Sequence, residues 1–447
     1  MQVYWYFASE ITLGVTTTMK KVMIRSSLGL AVTLASTQLF ASGFAINEQS
    51  ISGMGVGFAG RSSSAEDAST VAGNPAGMAR LKQEQFTVGA AGIYADSEID
   101  HARSTLGGSN EGDMVPLVGV PMGYYVKPLD DQWAVGFGVY VPFGLATDYE
   151  SGYAGRYWAD KSVVKVITFQ PTVSYAFNDK VSIGFGPTIN RIEGELTSRT
   201  INAANPISGG DGQVKIKGDD TALGFNVGIL VQATDKTRLG LTYHSKVDYK
   251  LDGDTKVRNL RARAALPAFN FKSDASLDLT TPESVDFSFT HELDDRWTIY
   301  GGSTWTRWSR LKDITVENSG SATATALGLG TITEEQNWHD TWAHAIGASY
   351  KLNKQWTLRT GFSVDQSPTN NHDRSPRIPS GDRRIFSVGA GYSPTDNITL
   401  DFAYSYLKEE SVDVNLPSSG STTNKGAYSA TYKNSAHGFG SSLTYRF

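Results

Sequence analysis

From Phe86 to Phe447 apolar and polar residues alternate with period two, the period of a strand whose two faces meet different surroundings. Between 167 and 177, Ile167, Phe169, Val173, Tyr175 and Phe177 hold odd positions, and Thr168, Gln170, Thr172 and Ser174 hold even ones. Trp356, Leu358, Phe362 and Val364 form one face of a second such run; Thr357, Arg359, Ser363 and Asp365 form the other. Nothing in the chain approaches the ~18–20 consecutive apolar residues of a spanning helix. With 40% apolar residues and a mean hydropathy of −0.27, the composition resembles that of a soluble protein. A transmembrane barrel has the same average, because its strands are apolar on one face only.

The connections are lopsided. Short turns at 128–131, 178–180, 234–236, 294–296, 353–355 and 394–397 alternate with long Gly/Ser/Thr/Asn-rich segments. The long ones are 100–115, 144–162, 199–213, 252–275, 317–333, 367–382 and 411–433. Thirteen connections make fourteen strands, an even number that puts both chain ends on one side. The predicted fold is all-β: a 14-stranded antiparallel transmembrane β-barrel with short periplasmic turns and long outer loops. Trp133, Trp297 and Trp356 follow tight turns, and Trp305, Trp308, Trp338 and Trp342 lie near long-loop ends. Two aromatic levels are what two membrane interfaces select. Phe447 ends the chain at the outward parity of its strand, the address of a Gram-negative outer-membrane barrel.

Met19-Lys20-Lys21, an apolar stretch from Leu28 to Leu34 and Phe40-Ala41 read as a secretory signal over residues 1–41. Residues 1–18, upstream of the better start at Met19, read as a mis-called extension or a longer basic region. Zero cysteine excludes disulfides, thiolate zinc sites and a cysteine nucleophile. The balance of 40 Lys+Arg against 45 Asp+Glu excludes a general nucleic-acid-binding surface.

Residues 42–83 do not alternate. They contain G-x-G-x-x-G at Gly55, Gly57 and Gly60, but the polar run before it is no dinucleotide-site strand, so the glycines are assigned to close packing and sharp turns. Ser64 to Asp67 is expected to open a short helix through a capping box, and 74–77 to form a turn. Eight-stranded barrels fill their own lumen and sixteen-stranded ones leave a channel. Fourteen strands leave room for these ~40 residues as a plug ahead of a barrel over 84–447.

Ser42-Gly43-Phe44-Ala45-Ile46-Asn47-Glu48-Gln49, Ala65-Glu66-Asp67-Ala68-Ser69 and Asn74-Pro75-Ala76-Gly77-Met78 resemble the start of the FadL family of outer-membrane long-chain fatty acid transporters. Val141-Pro142-Phe143-Gly144-Leu145 and Asp365-Gln366-Ser367-Pro368 extend the resemblance. It implies a monomeric barrel with an amino-terminal hatch, to which Gly43, Phe44, Asn74, Pro75 and Ala76 are assigned. It also implies capture by outer loops, passage to a deeper pocket, and sideways release where the third strand kinks. The family includes a branch for monoaromatic hydrocarbons, which is the alternative cargo.

Residues with candidate roles follow. Gly136, Gly138, Tyr140 and Pro142 share one face of the third strand; Pro142 lacks an amide donor and the glycines weaken pairing, so a lateral gate or an outer bulge is expected there. Phe58 of the hatch is a candidate ligand contact. By parity Arg359, Asp365 and Arg383 face the lumen, where either arginine meets a carboxylate or all three brace the wall. Two loops carry excess apolar residues: Tyr153 and Trp158 in one, Leu266, Phe269 and Phe271 in the other, beside Arg258 and Lys272. Such loops catch a hydrophobic acid, touch lipopolysaccharide, or pack on themselves. No cofactor is expected, and the chain carries no G-x-S-x-G or H-E-x-x-H. An outer-membrane lipase, the enzymatic alternative, needs a Ser/His pair facing lipid.

Overall fold

A computed structural model of the protein describes residues 43–110, 112, 114–201, 210–260, 269–418 and 425–447. The signal segment and Leu266 lie outside them. Fourteen antiparallel strands close into a barrel. The first six are β1 (Gln85–Ser104), β2 (Val118–Pro128), β3 (Trp133–Asp148), β4 (Lys161–Ala176), β5 (Val181–Thr200) and β6 (Gly212–Thr234). The next four each run in two segments. They are β7 (Thr237–His244, Val247–Leu260), β8 (Phe269–Thr281, Ser284–Glu292), β9 (Trp297–Thr306, Asp313–Ser319) and β10 (Thr331–Glu335, Thr341–Lys351). Then come β11 (Trp356–Asp365), β12 (Arg383–Thr395), β13 (Ile398–Glu409, Val412–Leu416) and β14 (Tyr428–Arg446). Closure is made by β1 on β14, from Gln85 opposite Arg446 to Ser104 opposite Tyr428.

All six tight turns stand where the chain's turn residues put them, and five of them close on an Asx or threonine side chain. Asp130 Oδ1 accepts from the Gln132 and Trp133 amides at 2.8 and 2.7 Å, and Asn353 Oδ1 repeats this on Gln355 and Trp356 at 2.8 and 2.9 Å. Outside the turns, Phe137, Phe185, Phe287, Ile346, Phe362 and Phe402 are all exposed on the barrel's outer wall. In water so large an apolar surface is a liability; in a bilayer it is the solvent match that holds the barrel there.

Two expectations need correction. The segment 252–275 is mostly strand rather than loop: Leu260 pairs with Phe269 and Val257 with Phe271 above the membrane. Of the two aromatic levels, the lower one holds, with Trp133, Trp297 and Trp356 each against a tyrosine at 4.6–4.7 Å. At the upper one Trp305 and Trp342 are cross-strand partners facing out, but Trp308 and Trp338 are buried in the lumen. Strand β9 breaks at a short 3-10 turn, Trp308–Arg310, and β10 breaks after Glu335, so these two tryptophans leave the outward parity and turn inside.

Candidate functional site

Residues 43–81 sit inside the barrel as a hatch. Helix α1 (Ile51–Gly55) is capped by Ser50, whose Oγ accepts from Gly53 N at 3.1 Å. Helix α2 (Thr70–Gly73) precedes a 3-10 helix, Pro75–Arg80, capped by Asn74. The expected Ser64 helix does not form, because Asp67 is engaged elsewhere: it accepts from Ser52 Oγ at 2.7 Å and Ser69 N at 2.8 Å.

Buried polar bonds fasten this segment to the wall on many sides. Ser62 meets Ser288, Thr242 and the Asp286 carboxylate. Asn74 donates to the Ile229 carbonyl at 3.1 Å, Ser182 to the Ala76 carbonyl at 2.9 Å, and Gln170 to the Val71 carbonyl at 2.8 Å. Wall glycines make room: a Cβ on Gly240 would stand 1.9 Å from the Ser62 carbonyl oxygen, and one on Gly361 would stand 2.0 Å from the Val56 carbonyl carbon. Gly57, at φ +68°, faces Gly361 and Phe362 in turn.

The same packing explains Gly136 and Gly138. Both keep partners on each side, Val126 and Thr172 for the first, Tyr124 and Gln170 for the second, so they do not weaken the ladder. They admit Met78 and Val71 of the hatch, which a Cβ would meet at 2.5 and 3.1 Å. The ladder breaks two residues later. Between Tyr140 and Phe143 the β3–β4 register shifts by one residue, a bulge at Val141 and Pro142. Tyr140 points inward, donating to Gln170 Oε1 at 2.5 Å.

Strand β2 leaves β3 at the same height. The two pair only from Pro128 opposite Ala134 to Gly123 opposite Val139; Val118 to Met122 keep β1 alone. The vacated edge of β3 is taken by the hatch, with Ile46 N donating to Pro142 O at 2.8 Å and Gly144 N to Phe44 O at 2.7 Å. The strands are parted until Asp148, whose amide donates to the Met114 carbonyl at 2.8 Å.

Three cavities lie along this path. An outer one of about 1150 Å³ is lined by Trp158, Lys425, Arg199 and Arg377. It shares Leu196, Ile216, Ile314 and Val316 with an apolar cavity of about 810 Å³ that reaches Phe44 and Leu145. A third, polar on one side, holds about 1230 Å³ beside the bulge and is lined by Ile46, Phe58, Arg61, Pro142 and Phe143. Phe44 stands between the second and third. Its ring lies 4.9 Å from Trp308, 5.8 Å from Phe143 and 6.0 Å from Trp338. The chain's period-two pattern gave no sign of this aromatic cluster, since both tryptophans sit where strands break.

The candidate contacts divide. Phe58, held at φ 65°, and Trp158 do line cavities. Tyr153 is 0% exposed, stacked on Tyr149 at 4.0 Å and bonded to Tyr428, so its loop packs on itself at that point. Phe271 packs against a small cluster built on Val257 and Leu260, and half-buried Phe269 pairs with Leu260. Arg359 and Arg383 brace the wall. Arg359 reaches Asp401 at 2.6 Å and Glu66 of the hatch at 3.1 Å; Arg383 reaches Glu409 at 2.8 Å and Asp365 at 3.7 Å. In the outer cavity burial pushes the Glu334 carboxyl up, but Arg377 and Lys425 outweigh it and hold it down to about 2. The Ser/His pair required of a lipase exists in part: Ser303 Oγ and His344 Nδ1 are 2.8 Å apart on the lipid-facing wall. Their register neighbours are Phe287 and Val364, and among the described residues no carboxylate is hydrogen-bonded to the imidazole.

Residues 32–447 match the family described as outer membrane protein transport protein (OMPP1/FadL/TodX). The chain belongs to this family. It is 29% identical to the long-chain fatty acid transport protein of Escherichia coli O6:H1, over 96% of this chain and 99% of that one. It is 30% identical to outer membrane protein P1 of Haemophilus influenzae, over 87% and 90%. The crystal structure of a Pseudomonas aeruginosa FadL homologue superposes with a TM-score of 0.81 at 26% identity, covering 91% of this chain and all of that one. The Ralstonia pickettii toluene transporter TbuX shares the fold at a TM-score of 0.65 and 19% identity, over 88% and 97%. As a FadL-type protein the chain is an outer-membrane transporter of a Gram-negative bacterium.

Proposed function

We propose that this transporter carries long-chain fatty acids passively, collecting them at its outer cavities and releasing them sideways between β2 and β3. One observation carries the reading: cavities in series end at a parted wall, while the floor below them is fastened by buried polar bonds. A sixteen-carbon chain avoids water by roughly 10 kcal/mol, at ~0.8 kcal/mol per buried CH₂, and gains nothing from a wet pore. An apolar passage ending in the bilayer spares it both the aqueous step and the charged saccharide layer outside.

Phe44 is the seal in this reading, and the 44–46 stretch bridged to β3 is the part that must give way for cargo to pass. Trp158 and Lys425, 4.7 Å apart in a cation–π contact, present an apolar and basic lip to the outside. The same lip suits lipopolysaccharide phosphates as a neighbour. A monomer suffices in this reading, since one barrel encloses the whole path. The alternative cargo, a monoaromatic hydrocarbon, is the one named for TbuX. Uptake of labelled oleate and labelled toluene by cells with and without the gene separates the two. Gene-dependent oleate uptake is expected; gene-dependent toluene uptake with oleate unchanged would replace the fatty acid by the hydrocarbon.

A further inference from the structure

The guanidinium groups of the lumen are not alike. Arg359 and Arg383 each face two carboxylates. Arg238 is spent on the carbonyls of Ser63 and Ser64, at 3.1 and 3.0 Å. Arg61 is different. Among the described residues no carboxylate comes within 4 Å of it, and its side chain makes one hydrogen bond, from Nη2 to the neutral Asn47 Oδ1 at 2.6 Å. Its backbone is held between Gly60, at φ +71°, and Ser62, which is fastened to three wall residues. The half-buried side chain lines the cavity beside the bulge.

A guanidinium has five donors in a planar fork that matches a carboxylate, and a cation removed from bulk water is costly until an anion pairs with it. The cavity is shaped for such a partner with an apolar tail. Ile46, Phe58, Pro142 and Phe143 give it an apolar flank. Its two acidic wall groups are occupied: Asp286 by Ser62 and by Thr304 at 2.6 Å, Asp365 by Arg383. A neutral hydrocarbon in this space would leave the Arg61 fork with Asn47 as its hydrogen-bonded partner, the buried Glu48 carboxyl acting on it only through space from beyond 4 Å.

We infer that Arg61 of the hatch is the residue that selects for a carboxylate, receiving the head group of an anionic amphiphile whose tail lies along Phe58 and Phe143. This rests on the transport reading above and sharpens it from hydrophobic cargo to monocarboxylate. The test uses the full-length protein in cells lacking any other transporter of this kind. Uptake of labelled oleate is compared with uptake of labelled oleyl alcohol, which has the same tail without the charge. Folded protein in the outer membrane is verified by its heat-modifiable gel mobility.

Arg61→Gln is expected to lower oleate uptake at limiting concentration about tenfold, as loss of one charge-assisted contact does. Oleyl alcohol uptake should be unchanged, and Arg61→Lys should recover most of the loss. Equal oleate uptake by wild type and Arg61→Gln would overturn the inference, as would parallel loss of acid and alcohol. Wild-type cells that take up no oleate would overturn the transport reading itself, a result distinct from either.

Discussion

At the scale of single residues, Arg359 joins the hatch to the barrel wall. It is on β11, pairs with Asp401 on β13, and reaches Glu66 in the hatch, which also accepts from Tyr300 Oη at 2.6 Å. Its side chain is 8% exposed, so the ions are not screened by bulk water. Replacing it by methionine strands two carboxylates in the lumen. Removing one member of such a buried set costs about 3–5 kcal/mol. Arg359→Met should therefore convert from the folded to the unfolded gel form at a clearly lower temperature. The triple variant Glu66→Gln, Arg359→Met, Asp401→Asn should recover most of that loss; if it melts as early as the single variant, the ion pairs are not the cause. The sequence placed Arg359 and Arg383 on the lumen side because parity alone decides that. It was silent on which of two lumen roles they fill, because their partners Glu66, Asp401 and Glu409 are distant in the chain. Arg61 was passed over for the converse reason. Its distinction is that no carboxylate among the described residues pairs with it within 4 Å, which no local pattern records.

At the scale of elements, the bulge in β3 is a single extra residue. Tyr140 opposite Thr168 and Phe143 opposite Val166 leave Val141 and Pro142 facing one position of β4. Deleting Val141 restores an unbroken alternation without altering the strand on either side. The barrel should still assemble, and gene-dependent oleate uptake should fall roughly tenfold or more, at ~1.4 kcal/mol per decade, because straightening β3 removes the bend that carries its edge away from β2. Undiminished uptake by this variant would place the exit elsewhere. Pro142 marks the bulge in the sequence, since a proline has no amide to give the ladder. Gly136 and Gly138 keep their ladder partners, and the sequence is ambiguous about them for a physical reason. Glycine in a strand marks either a fault or the close approach of another chain, and only the hatch, more than fifty residues earlier, tells which. The same holds for Gly240 and Gly361, whose need for small size comes from Ser62 and Val56.

At the scale of the whole molecule, strand count, turn positions and the existence of a plug were legible because each is a local or cumulative property: period two, an Asx turn, an irregular stretch. The interior was not. Strands β9 and β10 break inside the outer half, and no composition signal separates a tryptophan in a girdle from one folded into the lumen. The 44–46 stretch beside the bulge, the aromatic ring of Phe44 and the cavities above it exist only once residues 44, 143, 308 and 338 share one place.

The fastening of the hatch has a kinetic meaning. Residues 50–80 are bound to the wall from several directions, so the floor of the barrel has no stroke. A machine without a stroke does no work on its cargo and has no preferred direction. In the transport proposed above, such a barrel shortens the wait for equilibrium between the outer medium and the bilayer and leaves the equilibrium where it was. Proteoliposomes holding the protein should then exchange labelled oleate outward as fast as inward under equal gradients, and a persistent difference between the two rates would reveal a ratchet that this architecture lacks. Net accumulation in a cell must come from whatever consumes the acid downstream, so the rate of that consumption, rather than any motion of the barrel, sets how one-sided the traffic becomes.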